Sequence, residues 1–419
     1  MTGNDPIALG LSLPLWSVLP FVAFLLAIAL FPVFAPRFWG RHFGKVSLAF
    51  GLPVAAYFFA RAPAQMLHAV VDYVSFIVLL AALFIVSGGI LLRGTMRATP
   101  GLNCGFLAAG AVLSNLLGTT GASMLLIRPL LRANAGRNRI AHVVIFFIFI
   151  VANIGGSLSA IGDPPLILGY LKGVPFFWTL LHVGPIWLVA CGLVIGAFYF
   201  VDRRAFALEA IAGGGAPAPG AGSLSMSMEG KINLALLGAV IGAVFLPTPW
   251  RETAMAAAAI VSVWKTPAGV REENEFTYHP IREVAILFAA IFATMIPALL
   301  ILKARGGELG VTEPAQFFWA AGSLSSFLDN APTYLVFFSL AQGVGGPDLV
   351  AGVSAPFLAA ISAGAVFMGA NSYIGNAPNF MVKAIAEEAG VRMPSFFGYM
   401  AWSCGVLLPV FGLLTVIFF

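Results

Sequence analysis

The 419-residue sequence is poor in charge: Asp, Glu, Lys and Arg together make up 9% of it, against the ~25% of a typical soluble domain. No soluble core of this length needs 60% hydrophobic residues, so lipid is the solvent for most of the chain. The net charge of +5 does not point to nucleic acid. The basic residues sit in short loops between apolar runs, not on a soluble basic patch. Cysteine is scarce. Cys104, Cys191 and Cys404 lie far apart in apolar segments, offer neither metal-ligand spacing nor a disulfide framework, and read as small buried hydrophobes. No P-loop, Rossmann glycine pattern or zinc motif is present. That leaves no soluble-enzyme chemistry and no cofactor, and transport must be passive or driven by an ion gradient. The N-terminus has no basic run ahead of its first apolar stretch, so 15–35 reads as a retained span, not a cleaved signal.

A helix needs ~20 apolar residues to cross a bilayer. Segments 15–35, 66–92, 176–201, 281–302 and 394–419 meet that length, and 46–62, 231–247 and 252–264 are shorter candidates. Segments 140–171 and 352–384 are too long for one simple helix and are interrupted by Gly, Asn and Pro. Segments 101–131 and 314–346 are apolar but bent at a polar centre. Arg93 and Arg97 precede 101–131, and Arg132, Arg137 and Arg139 follow it. With both flanks basic, the segment enters and leaves on the cytoplasmic side as a re-entrant hairpin. Arg61, Lys172, Arg251, Lys303 and Arg305 then fall outside, Arg128 lies within the hairpin, and the remaining Lys and Arg fall inside. The expectation is an all-α polytopic membrane protein of about ten transmembrane helices plus two re-entrant hairpins. Both termini are outside, and hairpin 314–346 opens outward. The Gly/Ala/Pro/Ser-rich stretch 205–230 reads as a flexible cytoplasmic linker between halves 1–204 and 231–419. Segment 266–280, with its REENE run, reads as a solvated loop without a site role.

The halves resemble each other at one offset. Ile161-Gly162-Asp163-Pro164-Pro165 aligns with Ile374-Gly375-Asn376-Ala377-Pro378, and the same shift puts Thr120 on Thr333. In each half, spans are followed by a hairpin, a broken helix and a final span, with opposite directions across the membrane. This is an inverted-topology repeat, in which interrupted segments meet near the midplane and form the binding site.

The polar centres are the candidate substrate- and ion-binding positions: Ser114, Asn115, Thr119 and Thr120 in the first hairpin; Asn153, Ser157 and Asp163 in the first broken helix; Asp329, Asn330 and Thr333 in the second hairpin; Asn371, Ser372 and Asn376 in the second broken helix. Gly and Pro unwind the backbone there. Freed carbonyls can then bind cations, and free N–H groups at half-helix starts can bind anions. A charge at the bilayer centre costs roughly 2.5–3.5 kcal/mol on the mildest scale. Capping a half-helix start returns only about 0.3–1 kcal/mol, so Asp163 and Asp329 read as ligands for a transported sodium ion, not a structural metal. Burial disfavours the charged form of a carboxylate. A proton therefore competes with a metal cation, which is the minimal mechanism of an antiporter. Asp72, His142 and His182 read as residues near the ends of spans, and Arg128 as a snorkelling side chain.

The stretches SNLLGTTGASMLLIRPLL, NIGGSLSAIGDPP, SSFLDNAPTYL and NSYIGNAPNF resemble the ion-transporter superfamily, which includes NhaD-type sodium/proton antiporters, arsenite pumps, citrate transporters and divalent-anion/sodium symporters. The likeness covers most of the chain and is greatest to NhaD-type and related antiporters. It implies a bacterial inner-membrane homodimer with a scaffold and a moving transport unit, and functional positions at Asn153, Asp163, Asp329 and Asn330. The first hairpin departs from the antiporter pattern in carrying no acid. Ser114-Asn115 partly matches the Ser-Asn-Thr tips of the anion symporters, but Asp329 puts a negative charge where those have a neutral tip. A negative tip repels a dianion. The expected partners are therefore sodium and protons in the lipid bilayer, with organic-anion (citrate or dicarboxylate) or arsenite transport as the alternative.

Overall fold

The computed structural model describes residues 5–95, 98–211 and 225–419. Its first half comprises α1 (Pro6–Ser12), α2 (Leu19–Phe34), α3 (Pro36–Arg61), α4 (Pro63–Ser87), α5 (Pro100–Ala133), α6 (Ala141–Ile150), α7 (Pro164–Leu171), α8 (Trp178–His182) and α9 (Gly184–Ile211). The second comprises α10 (Ile232–Ala243), α11 (Trp250–Lys265), α12 (Ala268–Glu273), α13 (His279–Thr294), α14 (Ile296–Arg305), α15 (Pro314–Ser325), α16 (Asn330–Val344), α17 (Ala355–Met368), α18 (Ala377–Glu388) and α19 (Phe396–Phe418). Sheet is confined, among the described residues, to β1 (Leu91–Thr95) with β2 (Ser225–Glu229) and β3 (Leu349–Val350) with β4 (Val353–Ser354), both antiparallel. The chain is an all-α polytopic membrane protein. Six helical stretches among the described residues are long and apolar enough to cross a bilayer, and a seventh is added if α13 and α14, bent by 44°, form one span.

One of the six, α5, is not a single straight helix. A straight helix of 34 residues would reach about 50 Å, yet its two ends touch. Ala98 N–H donates to the Ala133 carbonyl at 2.9 Å, and Asn103 and Asn134 exchange side-chain hydrogen bonds of 3.1 and 2.9 Å. The chain reverses at Gly118, whose φ of 74° and ψ of 156° fall in a region open essentially to glycine alone. The counterpart, α15 and α16, reverses at Phe327–Asp329.

The broken helices lie at the centre. Every residue of α6 from His142 onward and of α17 from Leu358 onward is buried, as expected of helices that are hydrophobic all round. Each arm of about ten residues covers roughly half a ~30 Å hydrocarbon core. Peripheral α2, α3 and α19 expose Leu19, Phe34, Phe59 and Val416, apolar side chains suited to lipid.

The repeat is visible in hydrogen bonds. Asn115 Nδ2 donates to the carbonyls of Ala111 (2.9 Å) and Gly155 (2.7 Å); Ser326 Oγ donates to those of Gly322 (2.9 Å) and Met368 (3.1 Å). Ser159 Oγ then donates to the Asn115 carbonyl (2.6 Å), as Ser372 Oγ does to that of Ser326 (2.5 Å). Within each break two glycines cross closely: a Cβ on Gly156 would meet the Gly162 carbonyl oxygen at 2.7 Å, and one on Gly369 that of Gly375 at 3.3 Å.

Three expectations change. Helix α3 starts at Pro36 rather than near 46, so Arg37, Arg41 and Lys45 lie on a helix and not in a loop; Pro at the first helical position favours a start there, and straight-chain basic residues are good helix formers. The 266–280 loop contains α12, and its Asn274 is buried, donating to the Gly88 and Ile90 carbonyls left free at the end of α4. Of the expected linker, 205–211 continue α9 and 225–229 form β2, while 212–224 lie outside the described residues.

Candidate functional site

Four helical segments begin at one place. The second arm of α5 starts at Thr119, α7 follows Asp163, α16 starts at Asn330 and α18 follows Asn376. Thr119 N–H donates to the Gly162 carbonyl at 2.8 Å, which pins the first hairpin tip to the first break. Each helix start carries about half a positive charge from unpaired N–H groups. Asp163 sits among them, fully buried.

The Asp163 side chain does not cap its own helix. Its carboxylate accepts from Thr119 Oγ1 at 2.6 Å and Asn376 Nδ2 at 3.1 Å on one oxygen, and from Asn330 Nδ2 on the other. One carboxylate thus joins both hairpins and both broken helices. All three donors are neutral, and no Lys, Arg or His pairs with Asp163 among the described residues. A carboxylate has about four lone-pair sites, so three donors leave room for one more partner. Asn330 Oδ1, on the amide that touches Asp163, is buried and finds no hydrogen-bond partner among the described residues. Further hydrogen bonds lock the amides: Asn376 Nδ2 also donates to the Ala152 carbonyl (3.0 Å), and Asn153 Nδ2 donates to Asn379 Oδ1 (2.7 Å) and the Ile148 carbonyl (2.8 Å).

Beside this centre lies a cavity of about 90 Å³. Thr119, Thr120, Asp329 and Asn376 form its polar wall; Leu83 and Phe84 of α4 with Val284 and Phe288 of α13 form its apolar wall. No Lys, Arg or His lines it. It is smaller than the ~300–1,000 Å³ of drug-sized ligand pockets and suits an ion with little water. Asp329 is half-buried here and caps α16, accepting from Ala331 N–H at 3.0 Å.

A family profile described as "Putative citrate transport" matches residues 10–419. The chain belongs to that family. No curated protein matches it. Membership makes the chain a multi-pass secondary transporter and agrees with the ion-transporter superfamily resemblance of its motifs.

Of the residues this transporter's sequence nominates, the fold brings Thr119, Asn153, Asp163, Asn330 and Asn376 into one bonded cluster, with Thr120 and Asp329 on the adjoining cavity. The others brace the surrounding hairpins and breaks, mostly through backbone carbonyls. Ser114 donates to the carbonyls of Gly110 (2.8 Å) and Val151 (2.7 Å), and Asn115 and Ser372 tie tips to breaks as described above. Ser157 donates to the Ile154 carbonyl (3.1 Å), Thr333 to that of Asp329 (3.0 Å), and Asn371 Nδ2 to Ser326 Oγ (2.9 Å). Among the described residues no group of three or more His, Cys, Asp or Glu is placed to hold a metal ion.

Asn379 is the residue that sequence reasoning passed over. It lies one helical turn beyond Asn376, so the i, i+3 spacing in Asn376-Ala-Pro-Asn379 was the available signal. Away from the site, Asp72 pairs with Lys172 at 2.5 Å, and Arg128 with Glu275 of the REENE run at 2.6 Å. His182 stacks on Trp178 with ring centroids 4.2 Å apart. His142, at the start of α6, is buried with its Nε2 2.8 Å from Asp202, which also pairs with Arg137 at 2.6 Å.

Proposed function

We propose that the transporter exchanges sodium for protons, with Asp163 as the shared carrier group. The observation that carries this reading is a fully buried carboxylate held only by neutral donors. A bound cation or a proton is what can neutralise it, and the two compete for the same oxygens. Asp163 with the unpaired Asn330 Oδ1 offers the hard oxygen ligands that a small alkali cation takes, and Asp329 at the cavity wall raises the local cation concentration. Sodium or proton binds from one side, the hairpins and broken helices move as a unit past α4 and α13, and the other ion replaces it on the far side. The resemblance of the motifs to NhaD-type antiporters points the same way, and with it comes the proposal of a homodimer in a bacterial inner membrane.

A second reading, uptake of citrate or a related carboxylate, is favoured by the family match and by the four helix starts, which suit anions. It requires Asp163 and Asp329 to be neutralised by co-transported cations or protons before a polyanion enters.

Everted membrane vesicles energised to an imposed pH gradient separate the two. Exchange predicts that sodium collapses the gradient, that Asp163→Asn abolishes the response, and that labelled citrate does not accumulate. Sodium-independent gradients together with citrate uptake would replace this reading by the second.

A further inference from the structure

Away from the transport cavity, a large polar hollow among the described residues lies where the first half meets the second on the arginine-rich face. It measures about 1,040 Å³, more than ten times the cavity beside Asp163. Its rim carries Arg132, Arg137, Arg139 and Arg392, and no Asp or Glu lines it. The nearby acids are already engaged: Asp202 by Arg137 and His142, and Glu209 by Arg137 and the Arg139 backbone N–H. Arg139 and Arg392 are exposed and form no ion pair among the described residues.

Two further features point to an oxyanion. Helix α6, ten residues long, opens into this hollow through Ile140, Ala141 and His142, and no side chain caps it. Its N–H groups and dipole favour a negative group there. Arg137 also lines the hollow; its side chain is 4% exposed, and its Nη2 is buried without a hydrogen-bond partner among the described residues. Below the arginines the wall turns apolar, with Ile145, Val201 and the part-exposed Trp402. A charged rim over an apolar floor with an interfacial Trp matches a lipid that enters headgroup-up. Basic pockets between transmembrane helices on the cytoplasmic side bind such headgroups.

We propose that this cleft binds the phosphate-bearing headgroup of an anionic phospholipid, with Arg139, Arg392 and the start of α6 as its polar contacts and Ile145, Val201 and Trp402 against its acyl chains. The site is independent of what is transported. It joins the ends of α5 and α6 to the turn between α18 and α19, so the bound lipid clamps the two halves together and stabilises the folded state.

The test uses the full-length protein in phosphatidylcholine nanodiscs, with and without phosphatidylglycerol. Phosphatidylglycerol should raise the thermal unfolding midpoint. The rise should vanish in Arg139→Gln/Arg392→Gln, whose side chains are not needed for any ion pair in the fold, and persist in Arg37→Gln/Arg41→Gln, which removes the same charge elsewhere. Potassium phosphate added to phosphatidylcholine nanodiscs at constant sodium should leave the midpoint unchanged. An equal rise in the Arg139/Arg392 variant, no rise in the unaltered protein, or an equal rise with potassium phosphate alone at the same sodium concentration would each overturn the proposal.

Discussion

Asn376 donates its side-chain amide to Oδ1 of Asp163 across 3.1 Å, and the two residues stand 213 positions apart, the offset that relates the two halves. Equivalent positions of the repeat therefore meet face to face, one charged and one neutral. The pairing gives the site a local pseudo-twofold axis with a single formal charge on it. Symmetric backbone supplies the helix starts, and asymmetric side chains supply the ion chemistry.

That relationship is testable by exchange of the pair. Asn376→Asp alone places two carboxylates in contact, which costs several kcal/mol unless one is protonated, and Asp163→Asn alone removes the carrier. Each single variant should show no sodium-dependent proton flux in proteoliposomes. The double swap Asp163→Asn/Asn376→Asp keeps one carboxylate on the axis and should regain measurable flux. A swap as inactive as either single variant, with the protein folded, would mean that Asp163 needs more than its place on the axis.

Thr119→Val removes one hydroxyl donor to Asp163 at nearly constant shape. A hydrogen bond to a charged group is worth about 1.5–3 kcal/mol. The sodium concentration for half-maximal exchange should rise by roughly 10- to 100-fold, with expression and thermal stability near those of the unaltered protein. Sodium-dependent transport measured over a concentration series checks this.

Gly118→Ala tests the hairpin turn. The φ of 74° and ψ of 156° at this residue make a side chain there cost about 1–3 kcal/mol, although the nearest atom to an added Cβ, the Ile161 carbonyl oxygen, is at 3.4 Å. The thermal midpoint should fall and transport should weaken together, because the tip carries Thr119. An unchanged midpoint would show that the hairpin tolerates another turn.

Asp72→Asn serves as the contrast for Asp163. Asp72 is partly exposed and paired with Lys172, and such pairs are worth about 0–1 kcal/mol. Exchange by this variant should stay within about fivefold of the unaltered rate. A complete loss would place Asp72 in the transport path.

Much of this arrangement is legible in the sequence. Gly162 with Pro164, and Gly375 with Pro378, disfavour continuing a helix and favour starting a new one, so both breaks and their shared offset can be read from residue type. The basic residues on both flanks of 101–131 likewise lead to the expectation of a hairpin, and in the fold Ala98 meets Ala133. The ranking of the two acids is less accessible. Both Asp163 and Asp329 lie in polar centres, yet only one becomes fully enclosed; Asp329 turns toward its own helix start and holds Ala331 N–H. Which way each side chain points depends on contacts 167 and 213 residues away, and local pattern carries no such information. The burial of His142 escapes for the same reason: its partner Asp202 comes from α9, 60 residues on.

The most direct test of Asp163 as the shared carrier is calorimetry of sodium binding to the purified protein in buffers of different ionisation enthalpy. If one carboxylate serves both ions, sodium binding releases protons, and both the binding and the release disappear in Asp163→Asn. Sodium binding without proton release, or equal binding by Asp163→Asn, would contradict the mechanism.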